Sequence, residues 1–145
     1  MKPQRRTFAD VVARFLEKPF SPGGKGGSYD CLGFVYAFLC ALGKGDKLNT
    51  SFGALDIDNY HCAYPNMTQT EIRDRLIEIW EANGREIPVG KQLAGDAVIV
   101  EIDGNKWFPA IWAGSGHMLS SFTDAGVRAV RVKDNMRIIK VRRVD

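Results

Sequence analysis

Histidine is nearly missing from this chain: only His61 and His117 occur in 145 residues. Chemistry that needs an imidazole must therefore use one of those two positions. Cysteine is sparse as well, and the odd set Cys31, Cys40 and Cys62 cannot all pair within the chain, which excludes a disulfide framework. No Cys-x-x-Cys or His-x-x-x-His spacing is present, and the neighbours His61 and Cys62 are poorly placed to chelate one ion together. No metal and no cofactor is expected. A long apolar run is also lacking, since nothing approaches about eighteen consecutive apolar residues, so no membrane partner is expected. The start Met1-Lys2-Pro3-Gln4-Arg5-Arg6 leads into an amphipathic segment and not an apolar signal core, which reads as cytoplasmic synthesis without a signal peptide.

What is present suits a globular chain. A hydrophobic fraction of 45% over 145 residues is enough to bury a core without staples, and the reading is a single domain over residues 1–145 with a long inserted region at about 44–90. Thr7 can cap a first helix reaching about Lys18, with Phe8, Val11, Val12, Phe15 and Leu16 on one face, until Pro19 and Pro22 stop it. A second helix runs from Cys31 to Ala41 or Leu42 and ends at Gly43. Periodicity is then lost from Lys44 to Asn66, a stretch long enough to suggest a lid or a partner contact. Thr68-Gln69-Thr70-Glu71 is a capping box, and Ile72, Leu76, Ile79 and Trp80 form the buried stripe of a helix ending near Asn83-Gly84.

After Leu93 the pattern changes to short runs: Ala97–Ile102, Trp107–Trp112, His117–Phe122, Val127–Val132 and Arg137–Val141. Asp103-Gly104-Asn105 and Gly114-Ser115-Gly116 supply the turn residues between them, giving an antiparallel meander of about five strands. Helices followed by such a sheet make an α+β fold. Trp107 and Trp112, oddly spaced on one strand, should point to opposite faces.

Chemistry concentrates at Gly23-Gly24-Lys25-Gly26-Gly27-Ser28-Tyr29-Asp30-Cys31-Leu32-Gly33-Phe34, where a glycine loop enters an apolar helix. The positive end of a helix dipole favours a thiolate and its unpaired amides can stabilise an oxyanion, so Cys31 sits where a nucleophile is presented. Asp30 is the natural N-cap. The competing reading makes Cys31 a small buried core residue. The glycine loop lacks the Gly-Lys-Ser/Thr of a phosphate loop and has no strand before it, so it reads as a cleft wall.

The loop-Asp-Cys-x-Gly-Phe block followed by a meander resembles the NlpC family of papain-like cysteine peptidases and amidases that act mainly on peptidoglycan peptides. The resemblance covers about Pro19 to Gly43 and Leu93 to Val132, with Leu93-Ala94-Gly95-Asp96-Ala97-Val98 similar to the family's Gly-Asp strand start and Phe108-Pro109-Ala110-Ile111-Trp112-Ala113-Gly114 similar to its His-Val-Gly-Ile-Tyr-x-Gly strand. It implies Cys31 as nucleophile, a base on the strand, and a polar residue about one strand later to orient it. Matched by position, the base falls on Phe108 and the orienting residue on Ser120. Phenylalanine cannot take a proton. Phe20 and Leu32 also depart from the family's usual tyrosine and serine. His117 or His61 could substitute as base, His61 from the long middle loop.

The Asp-Cys-Leu-Gly form is similar to members found in phage tail tips and gene-transfer particles, which implies a virion-associated structural setting with other particle proteins as partners. Peptidoglycan peptide is the substrate class that the same resemblance implies. Net charge is +3, concentrated after Val127 in Arg128, Arg131, Lys133, Arg137, Lys140, Arg142 and Arg143. Alternating charge on strands reads as a solvated face or a protected edge, and a nucleic-acid partner is not expected.

Overall fold

The computed structural model describes residues 7–19, 31–48, 68–122 and 125–145. The glycine loop with Asp30 and Phe20, the greater part of the middle loop, and His61 and Cys62 lie outside the described residues. Among the described residues, three α-helices, α1 (Phe8–Phe15), α2 (Cys31–Ala41) and α3 (Gln69–Glu81), accompany a six-stranded antiparallel sheet. Its strands are β1 (Arg85–Ile87), β2 (Ala97–Ile102), β3 (Lys106–Gly114), β4 (His117–Phe122), β5 (Gly126–Arg131) and β6 (Met136–Arg143).

Local chemistry sets the helix limits. Thr7 and Asp10 form a capping box at α1, and Thr68 and Glu71 form another at α3, each satisfying amides that the first helical turn leaves open. Beyond α2, Gly43 takes φ +84°, its amide donates to the Cys40 carbonyl and the Lys44 amide donates to the Leu39 carbonyl. That double closure satisfies two helix-end carbonyls. A single 3-10 turn, Gly45–Lys47, follows.

Helix α1 stops at Phe15 and not near Lys18. The reason is a better use for the backbone: Glu17 turns to φ +69°, its amide donates to the Val127 carbonyl, and the Val127 amide donates to the Lys18 carbonyl. The Lys18 carbonyl would lie 2.2 Å from a Cβ at position 126, where φ is also +69°, so only glycine fits there.

The sheet order is β1-β6-β2-β3-β4-β5, so the meander holds from β2 to β5 while β6 crosses back to lie between β1 and β2. The five expected strands are all present as β2 to β6, and the short β1 joins them as a sixth through the returning β6. Strand β1 is absent from the sequence reading because three residues, two of them charged and exposed, carry no periodic signal. It forms because β6 offers it a ladder, with Ile87 opposite Val141.

Two apolar layers flank the sheet. On one face Ile99, Ile111, Leu119 and Val127 pack with Val11, Phe15, Phe34, Phe38, Leu76 and Trp80 from the helices. Phe8, Phe15, Phe34 and Phe38 meet ring to ring at centroid separations of 5.6–5.8 Å, mostly edge to face or tilted. On the other face Val98, Val100, Ala110, Met118 and Val141 form a second cluster with Ile87. Trp107 belongs to the first layer and Trp112 to the second, as their odd spacing requires.

Candidate functional site

Cys31 is the first residue of α2 and is half-buried. The helix it opens is buried through Phe34, Val35, Phe38 and Leu39, all on the helix-covered face of the sheet. Helix α1 and the sheet therefore hold the helix, and the helix holds the position of the thiol.

Phe108 lies on β3 opposite Val100 of β2 and packs with the second cluster. Its ring meets Phe122 at 5.9 Å in a T-shaped contact. The structure thus brings the two strand positions together on one face, while Cys31 begins a helix packed on the other.

Ser120 is fully buried and its hydroxyl donates to the Pro109 carbonyl at 2.9 Å. The backbone explains why. Trp112 exchanges hydrogen bonds with the Gly95 amide and Asp96 carbonyl on the β2 side, so even-numbered residues of β3 turn their polar groups toward β2 and odd-numbered ones toward β4. Pro109 therefore faces β4 without an N–H to offer, and regular β3–β4 pairing stops at Ile111 opposite Leu119. The Ser120 hydroxyl supplies the donor that a buried carbonyl needs where the ladder has lapsed.

His117 stands at the far end of β4, paired with Gly114 and Arg131. Its Nδ1 lies 2.9 Å from the Ser115 carbonyl, an acceptor, which assigns the proton to Nδ1 and leaves Nε2 as the basic nitrogen. Five residues of extended strand separate it from Phe122, about 17 Å. Positions 108 and 120 thus carry an apolar ring and an engaged hydroxyl, and neither can accept a proton at neutral pH.

The basic tail is mostly committed to structure. Arg143 makes a two-point ion pair with buried Asp96, at 2.8 Å on each arm, and Asp96 also accepts the Leu93 amide. The hydrogen bond that Arg143 donates to Asp96 raises the Arg143 pKa, desolvation opposes it, and the Asp96 and Asp145 charges add to the rise. Arg142 donates to the carbonyls of Asn83 and Gly84 at the end of α3, Lys140 pairs with Glu81, and Arg137 pairs with Glu101. Asp145 has its pKa lowered chiefly by the hydrogen bond from Arg85. Sequence reasoning found the Gly-Asp strand start but not the partner of Asp96, because no local signal links residues 47 apart. Among the described residues, no group of three or more metal-ligating side chains is found, and no helix is long and apolar enough to cross a membrane.

No family profile matches the chain, and no curated protein matches it. Solved structures do. NlpC2 from Trichomonas vaginalis superposes with TM-score 0.63 at 15% identity over 94% of this chain and 45% of its own. RipB, a peptidoglycan hydrolase from Mycobacterium tuberculosis, gives 0.58 at 20% identity over 94% of this chain and 62% of its own. The NlpC/p60 domain of the peptidoglycan hydrolase SagA gives 0.57 at 18% identity over 94% of this chain and 95% of that domain. The α+β fold of this chain is that of NlpC/p60 domains.

Proposed function

We propose that the chain is a single NlpC/p60-fold domain whose catalytic centre has lost its base, and that it serves as a structural, assembly or tail-tip component of a phage-like particle put together in the cytoplasm. The observation that carries the reading is the pair of strand positions: Phe108 is packed on Phe122, and Ser120 spends its hydroxyl on Pro109. A thiolate at a helix start can attack an amide, but the leaving amine needs a proton and the thiol needs somewhere to send its own. Removing one member of such a nucleophile-base set costs roughly four or more orders of magnitude in turnover. The particle setting draws on the Asp-Cys-Leu-Gly form of the nucleophile block, and peptidoglycan is the polymer named for the hydrolase neighbours.

The test is direct. Purified protein incubated with peptidoglycan should release no more soluble peptide than the Cys31→Ala variant. Release by the unaltered chain that Cys31→Ala abolishes would overturn the reading in favour of an active thiol hydrolase. Separate His117→Ala and His61→Ala variants would then identify the base.

A further inference from the structure

Among the described residues, the outer edge of β5 is closed at one end and open at the other. Val127 turns its amide and carbonyl outward, and both are taken by Glu17 and Lys18. Polar groups alternate in direction along a strand, so Arg128 and Val130 face β4 while Ala129 and Arg131 face outward like Val127. The bond from the Val132 amide to the Gly116 carbonyl fits the same alternation. Two N–H and two C=O groups, those of Ala129 and Arg131, therefore meet no partner among the described residues, and both residues are exposed.

The charged side chains from position 128 to 133 are basic, with Asp134 next in the chain. Arg128 and Arg131 lie on opposite faces of β5 and Lys133 follows, and none of the three has a carboxylate partner among the described residues. Glu17 lies at the closed end, beside Val127. Of the other basic residues of the tail, Arg137, Lys140 and Arg143 each hold an acid, while Arg142, like Arg128 at the Val127 carbonyl, holds carbonyls.

We propose that the open edge from Ala129 to Arg131 is a docking site for an extended acidic segment of a partner protein, which adds a strand beside β5. Backbone groups supply the pairing and the flanking Arg128, Arg131 and Lys133 select the charge. A second copy of this chain is a poor occupant, because two such edges would set like charges against each other. The inference rests on the sheet edge and is independent of chemistry at Cys31.

A six-residue peptide alternating glutamate and valine is the probe, and the same peptide with lysine in place of glutamate is its control. Titrated into isotope-labelled protein, the acidic peptide should shift the amide resonances of Ala129 and Arg131, and the lysine peptide should not. Ala129→Pro removes an outward N–H at a position where an edge strand tolerates proline, and should weaken binding about tenfold. The double variant Arg128→Glu with Arg131→Glu keeps every backbone group and should reverse the preference toward the lysine peptide. Absence of those shifts, equal response to both peptides, or a folded Ala129→Pro variant that binds undiminished would overturn the proposal. So would a dimer through β5, since a second copy would then be the occupant.

Discussion

The two faces of the sheet are both apolar yet are built differently. One is covered by helices whose phenylalanines interlock, and the other is covered, among the described residues, only by side chains of the sheet and its turns: Phe108, Trp112, Val130, Val132, Met136 and Ile138. Stability should therefore reside mainly on the helix side, while the second face can change residues at lower cost. Phe108 and Ser120, the strand positions that the family resemblance matched to a base and its orienting group, fall on that second face, away from the interlocked rings of the main core.

Paired truncations should expose the difference most strongly. Phe38 is fully buried and touches three other rings, so Phe38→Ala should cost about 3–5 kcal/mol through lost transfer energy and a cavity. Phe108 is only partly buried, and Phe108→Ala should cost about 1–2 kcal/mol. Denaturant unfolding of both variants checks this, and equal losses would break the contrast between the faces. The next effect in size lies where the sheet is tied together across the chain. Asp96→Ala strips the partner from Arg143, whose side chain is itself largely covered, and should cost about 3 kcal/mol.

How much of this was legible depended on whether the signal was local. The Thr7 cap, the Thr68–Glu71 capping box, the glycine end of α2 and the hairpin turns were readable, and the turns do use the left-handed region at Asp103, Gly104, Gly114, Ser115 and Gly116. Cys31 at the start of its helix was readable for the same reason. Pairings across long sequence separations were not. Strand β6 crosses back beside β2 because Val98 opposite Val141 extends a buried layer, a fact that no window around residue 141 contains. The exchange between Pro109 and Ser120 was equally hidden: proline in a central strand reads as a defect, and the hydroxyl that repairs it stands 11 residues on.

That repair gives a smaller prediction on the second face. Ser120→Ala removes the hydroxyl that donates to the buried Pro109 carbonyl and should cost about 1–3 kcal/mol. If Ser120 instead did no more than fill space, alanine would be nearly neutral in denaturant unfolding.

The smallest expected effect lies at the surface. Asp145 accepts from Arg85 at 2.6 Å, and that bond holds its carboxyl below the ordinary aspartate range. A depressed folded pKa stabilises the fold above the unfolded value, and the contribution fades as pH falls through the folded one. Both side chains are more than half exposed, so the effect is screened by salt and should shift the unfolding midpoint only slightly. Asp145→Asn should be marginally less stable than the unaltered chain at pH 7 in low salt and equal to it near pH 2. The buried pair on the same stretch of chain should behave otherwise, with Asp96→Ala keeping its deficit when salt is raised, because the largely covered Asp96–Arg143 pair admits few screening ions. A salt response shared by both variants would mean that the buried link between β6 and the start of β2 is as wet as the exposed one.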